Sequence, residues 1–149
     1  MDLSDAMQEA LAQAEAAASR GEVPVGAVVL GPDGAVLATA GNEVEARHDA
    51  GAHAEMLALR QAAARLGNSR LIGCDLIVTL EPCPMCAQAT SLFRVRRLVF
   101  GAYDPKGGGV EHGARVLHAS SCHHTPEIIG GLREQDCGEV LRRFFAARR

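Results

Sequence analysis

The chain has 149 residues and a mass of 15.7 kDa, with 48% hydrophobic and 22% charged side chains, which is enough for one hydrophobic core and too little for a second full domain. A single domain over residues 1–149 is therefore expected, and with no apolar run near the roughly 20 residues of a membrane helix and an acidic start, Met1-Asp2-Leu3-Ser4-Asp5, no membrane partner and a cytoplasmic location are expected. The formal charge of −3 excludes a uniformly basic nucleic-acid coat, but residues 1–60 carry ten acidic and three basic side chains while residues 61–149 carry eight acidic and twelve basic, so a polyanionic partner would meet the second half.

Along the chain, residues 3–20 place Leu3, Met7, Ala10, Leu11, Ala14 and Ala18 at helical spacing, with Gly21 as the stop. Two apolar runs, 23–30 and 35–40, flank the turn Gly31-Pro32-Asp33-Gly34 and predict a β-hairpin with Pro24 at its edge or start. A polar stretch, 42–51, leads into a helix over 54–66 carried by Met56, Leu57, Leu59, Ala63 and Leu66 and ended by Gly67-Asn68. Residues 75–80 read as a buried strand, 84 to about 93 as a short helix with proline at its first position, and 98–100 as another strand. The glycine-rich stretch 104–113 reads as a loop and 127–129 as a short strand or turn. The stretch from 134 to the end reads as a helix with Val140, Leu141, Phe144 and Phe145 on one side. This alternation predicts an α/β fold: a central mixed sheet of about five strands between two helical layers.

Five cysteines are an odd number in a chain large enough to fold without disulfides, so a metal site plus loose thiols fits better than a disulfide framework. His53-Ala54-Glu55 opens one predicted helix and Pro82-Cys83-Pro84-Met85-Cys86 opens another, so His53, Cys83 and Cys86 can converge on one ion. The ligand types suit Zn²⁺, one per chain, and three protein ligands leave a fourth position for water, as in catalytic zinc sites. A helix start favours thiolate over thiol. Residues two apart on a regular helix face nearly opposite ways, so Glu55 can reach the open position only if His53 still has pre-helical backbone conformation; it could then move protons between water and a leaving amine. Cys122-His123-His124 has no partner motif and reads as surface or packing, and Cys74 and Cys137 as core thiols.

His-x-Glu followed by Pro-Cys-x-x-Cys resembles the zinc deaminase signature. The chain also resembles the bacterial tRNA adenosine deaminase family over nearly its whole length, through Glu22-Val23-Pro24-Val25-Gly26-Ala27, Gly41-Asn42, Arg47-His48-Asp49, Ala52-His53-Ala54-Glu55, Val78-Thr79-Leu80-Glu81-Pro82-Cys83, Val99-Phe100-Gly101-Ala102 and Asp104-Pro105-Lys106. The resemblance implies a three-layer α/β/α cytidine-deaminase-like fold and a homodimer. It implies hydrolytic deamination of the wobble adenosine, position 34, of a tRNA anticodon loop to inosine, with zinc-held hydroxide as the nucleophile. By the same resemblance His53, Cys83 and Cys86 hold zinc, Glu55 shuttles protons, Asn42 contacts the flipped nucleoside, Val25 walls the base and Asp104 sits near the flanking nucleotides. Arg142, Arg143, Arg148 and Arg149 of the last helix would meet the RNA backbone. Asn42 after Gly41 also fits an Asx turn, and Asp104 before Pro105 a loop cap. The chain departs from the family pattern at Thr90-Ser91-Leu92-Phe93 and in the glycine-rich run Gly107-Gly108-Gly109-Val110-Glu111-His112. Two alternatives stay open: a free nucleobase or nucleoside deaminase acting on guanine, cytosine or adenosine, and a non-enzymatic partner with structural zinc, which would have no use for Glu55.

Overall fold

The structure, a computed structural model, describes residues 1–148. Five strands form one sheet in the order β2-β1-β3-β4-β5: β1 (Gly26–Leu30), β2 (Val36–Gly41), β3 (Asp75–Leu80), β4 (Arg97–Ala102) and β5 (Glu127–Ile129). β1 runs antiparallel to both β2 and β3, whereas β3, β4 and β5 are mutually parallel, so the sheet is mixed. The helices are α1 (Leu3–Ser19), α2 (Val44–Arg47), α3 (Ala54–Leu66), α4 (Pro84–Leu92) and α5 (Glu134–Ala146).

Strand alternation decides which helix covers which face. Ala27, Val29, Leu76, Val78, Leu98 and Phe100 point toward α3 and α4, where they pack with Ala54, Leu57, Ala58, Ala62, Ala87 and Ala89. Val28, Leu30, Ile77 and Val99 point the other way, toward Ala6, Met7, Ala10 and Leu11 of α1 and Cys137 of α5. Three layers result, α/β/α, as expected. All of β1 and nearly all of β3 and β4 are buried, which is why their apolar runs are continuous.

Close approach of α1 to the sheet depends on one residue. A Cβ at Gly26 would lie 1.9 Å from the Ala10 carbonyl oxygen and 2.7 Å from the Ala14 nitrogen, so only glycine admits the helix backbone there. The helix matches it with small residues, Ala6, Ala10, Ala14 and Ala17, on its buried side. Its start is closed by a capping box between Asp2 and Asp5, and Gly21 follows its end at φ +85°.

The expected elements are present, with three differences. The polar stretch 42–51 contains the single-turn helix α2, which has no buried residue and so leaves no apolar periodicity to read. Leu66 is exposed, because α3 buries the small side chains Ala54, Ala58 and Ala62 around Leu57 and Leu59, and its last residue overhangs the sheet. On α5, Val140 and Phe144 are buried but Phe145 is 47% exposed: adjacent residues are about 100° apart on a helix, so both phenylalanines cannot share its buried side. Cys74 and Cys137 are buried thiols, as expected. His124 is engaged locally, with Nε2 2.7 Å from the Val95 carbonyl, and the Cys122 thiol lies 3.2 Å from the His124 carbonyl, while His123 is exposed, so Cys122 and His124 are packing residues and His123 a surface one.

Candidate active site

Both motif helices lie on the same face of the sheet, and their starts meet at the end of β3, where the chain passes into Glu81 and Pro82. His53 is the N-cap of α3 with φ −74° and ψ 150°, extended and pre-helical as the His-x-Glu spacing required. Cys83 is the N-cap of α4, followed by Pro84 at the first helical position, so Cys86 lies in the first turn. His53 Nδ1 is 3.6 Å from Cys83 Sγ and 3.4 Å from Cys86 Sγ, and the three ligand atoms lie within 4.8 Å of one another. A tetrahedral Zn²⁺ with ordinary Zn–N and Zn–S bonds sets its nitrogen and sulfur ligands about 3.6 Å apart. These residues therefore fit zinc without rearrangement, and among the described residues this is the one such group of three.

The hydrogen bond from Cys86 brings the Cys83 thiol down to about 4 despite half-burial, and the same contact pushes Cys86 up, so the pair keeps one proton. The Cys83 contact raises the His53 imidazole above its usual value against the opposing effect of burial. Binding a cation would displace these protons. Glu55 is 4% exposed, and burial pushes its carboxyl up to about 7.

A cavity of about 390 Å³ opens over this centre, with His53, Glu55 and Cys83 at its base and Val25, Leu80, Asn42, Asp104 and Gly107 among its walls. The size is in the range of small-molecule sites. Asn42 is buried, and its Oδ1 accepts from the Ala54 amide at 2.8 Å, fixing the first turn of α3 and leaving the Nδ2 donor for a ligand. Asp104 Oδ1 accepts from the amides of Lys106 and Gly107 at 3.2 and 2.9 Å, so the residue is a loop cap and a cavity residue at once. Arg142, Arg143 and Arg148 do not line this cavity. Arg142 pairs with Glu139 and Arg143 with Glu15, both at 2.8 Å; the Arg148 guanidinium lies 3.4 Å above the centre of the Phe144 ring, and Arg149 lies outside the described residues.

Two buried carboxylates carry roles that their sequence positions did not indicate. Glu22, 2% exposed, accepts from the amides of Glu45 and Ala46 at 3.0 and 2.9 Å and so holds α2 at one wall. Glu81, also 2% exposed, accepts from the amides of Asp104, Val110, Glu111 and His112 and from the His112 ring. Burial favours protonation of Glu81, but these donors prevail and hold its carboxyl below the usual range. The sequence marks each only as a charged residue beside a proline-containing motif that adjoins a buried strand, which says nothing of its partners.

Comparison with known proteins agrees with this geometry. The cytidine and deoxycytidylate deaminase zinc-binding region matches residues 1–102. A tRNA-specific adenosine deaminase of Agrobacterium fabrum is 50% identical over 143 residues, covering 96% of this chain and 93% of that protein. A solved structure from work on A-to-I editing by tRNA:A34 deaminases at the wobble position superposes with a TM-score of 0.90 at 49% identity, covering 92% of this chain and 99% of the other. A guanine deaminase from Nitrosomonas europaea superposes with a TM-score of 0.81 at 26% identity, covering 96% and 84%.

Proposed function

Since the chain belongs to the cytidine and deoxycytidylate deaminase family, we propose that it is a zinc-dependent hydrolase converting adenosine to inosine at the wobble position, 34, of a tRNA anticodon loop. The observation that carries the chemistry is the His53, Cys83 and Cys86 triangle at zinc spacing with Glu55 buried beside it and not part of it. The substrate rests on the 50% identity to a tRNA-specific adenosine deaminase across nearly the whole length of both proteins, against 26% for the guanine deaminase.

When bound, zinc supplies Lewis acidity that brings the pKa of water toward about 7. His53, Cys83 and Cys86 would hold the ion. Glu55 accepts the first proton of the attacking water and passes it to the ring nitrogen beside the reacting carbon; it then takes the second from the hydroxyl now on that carbon and delivers it to the exocyclic nitrogen, which leaves as ammonia. Burial of Glu55 favours its protonated form and a bound cation would favour the carboxylate, opposing pulls that suit a group which both takes and gives a proton. Val25 and Leu80 wall the base, and Asn42 Nδ2 is the donor available to the nucleoside. An anticodon-loop base is already unpaired, so turning it into the cavity costs less than extracting one from a duplex.

We place the enzyme in the cytoplasm as a homodimer. No described helix is long and apolar enough to cross a membrane, and Met85 and Leu92 expose apolar surface on α4, the helix that carries both cysteines. Sedimentation at micromolar concentration checks the dimer. The substrate is checked by incubating the zinc-loaded protein with an adenosine-34 anticodon stem-loop beside free adenosine, cytosine and guanine. Inosine should form in the stem-loop alone. Ammonia from a free base would move the assignment to a nucleobase deaminase.

A further inference from the structure

We propose that Glu81 is a positioning residue which, with His112, latches the loop after β4 onto the edge of the site and so fixes the cavity wall that the substrate meets. The inference rests on the deaminase reading above. Glu81 stands between the end of β3 and Cys83, with its side chain wholly buried. Its Oε1 accepts from the Asp104 amide at 3.0 Å and lies 2.8 Å from His112 Nδ1. Its Oε2 accepts from the amides of Val110, Glu111 and His112 at 3.2, 2.9 and 3.0 Å. All five donors belong to one loop, which has no regular secondary structure from Tyr103 to Arg115 and contributes Asp104 and Gly107 to the cavity.

The loop's glycines are the counterpart of the carboxylate. A Cβ at Gly108 would lie 2.5 Å from Glu81 Oε2, and one at Gly109 would lie 2.5 Å from the Pro84 nitrogen, so the loop backbone rests directly on Glu81 and on the start of α4. The Gly109 amide also donates to the Pro82 carbonyl at 2.8 Å. The wall is thus referenced to the turn that carries Cys83 and Cys86, which keeps the distance between substrate wall and metal ligands constant. A loop held only by its own turns would have no such reference.

The two oxygens make the test selective. In Glu81→Gln, an amide nitrogen in the Oε2 position would face three N–H donors. In the Oε1 position it faces two, and His112 can relieve one of them by presenting Nδ1 as an acceptor. The variant therefore keeps the bonds to Val110, Glu111 and His112 and releases the Asp104 amide. The experiment compares zinc-loaded wild type with Glu81→Gln by amide hydrogen exchange and by steady-state kinetics on the adenosine-34 stem-loop. Exchange at Asp104 should rise while α3 and α4 keep their protection. Zinc should stay at one per chain, and KM should rise about tenfold with kcat nearly unchanged, the size of one hydrogen bond to a charged group. Should Glu81→Gln fail to fold, His112→Ala removes a single donor and should raise KM about threefold. Unchanged exchange at Asp104, a wild-type KM in the zinc-loaded variant, or loss of zinc in step with activity would each overturn the proposal. A wild-type chain inactive on the stem-loop would instead count against the substrate assignment, and the exchange measurement would still decide whether Glu81 holds the loop.

Discussion

Glu55 and Glu81 are carboxylates buried in one site, and their surroundings give them opposite characters. Glu81 collects four backbone amides and an imidazole, which compensate for burial and keep it ionised. For Glu55 burial dominates, and its carboxyl rises to about 7. A carboxylate saturated with donors is a structural anchor; one short of donors has a proton to exchange. Replacing Glu55 with glutamine preserves shape and removes the exchangeable proton. Glu55→Gln should keep one zinc per chain by metal analysis and lower kcat by about 10²–10⁴-fold, the usual worth of a positioned acid–base group. Loss of zinc with the activity would make Glu55 a structural residue.

The elements that position these groups owe their places to a few local decisions. Proline and cysteine at the start of α4, and histidine at the start of α3, put ligands where the backbone has not yet entered the helix, so the His53–Glu55 spacing, which would diverge along a regular helix, converges here, while Cys83 and Cys86 already share a face. That was legible from the motif, because N-cap geometry is a property of the first few residues. The exposed faces of α3 and α5 were less legible, since alanines count little in an apolar pattern yet line the buried side of α3. Gly26 belongs to this scale: it brings α1 onto β1 next to Val25, at the back of the cavity. Gly26→Ala would force a methyl group against helix backbone. A destabilisation of about 3 kcal/mol or more is expected, read as a fall in Tm of roughly 6–12 °C. An unchanged melting temperature would mean that α1 can move off the sheet at no cost.

Across the whole molecule, the acidic first half and the basic second half do not stay apart. Arg143 of α5 reaches Glu15 of α1 across the two halves, and within the second half Arg96 and Arg97 both close on the buried Asp75, so several cations counted from the sequence are already engaged. Exposed pairs such as Arg143–Glu15 are weak and can exchange partners for phosphate. The expectation that Arg142, Arg143, Arg148 and Arg149 meet tRNA is therefore tested on a quadruple alanine variant, by measuring binding from low to moderate salt. Binding should weaken, and the dependence of log K on log salt should flatten by roughly 0.7–0.9 for each phosphate that is no longer neutralised. Zinc content and melting temperature should hold. A slope equal to that of wild type would place the RNA-binding surface elsewhere.

Residue types and their spacing were enough for the helical layers on both faces of the sheet and for the meeting of His53, Cys83, Cys86 and Glu55 at one cavity, because these depend on alternation along strands and on helix starts, which are local. The roles of Glu22 and Glu81 came only from the folded chain. Their partners are backbone amides 23 to 31 residues away, and an amide carries no side-chain signature by which a sequence could announce it. The same holds for Asn42, whose Oδ1 is bound to the Ala54 amide, and for the division of Phe144 and Phe145 between core and solvent. In each case the outcome depends on which surface another segment covers, and that is decided only when the layers close.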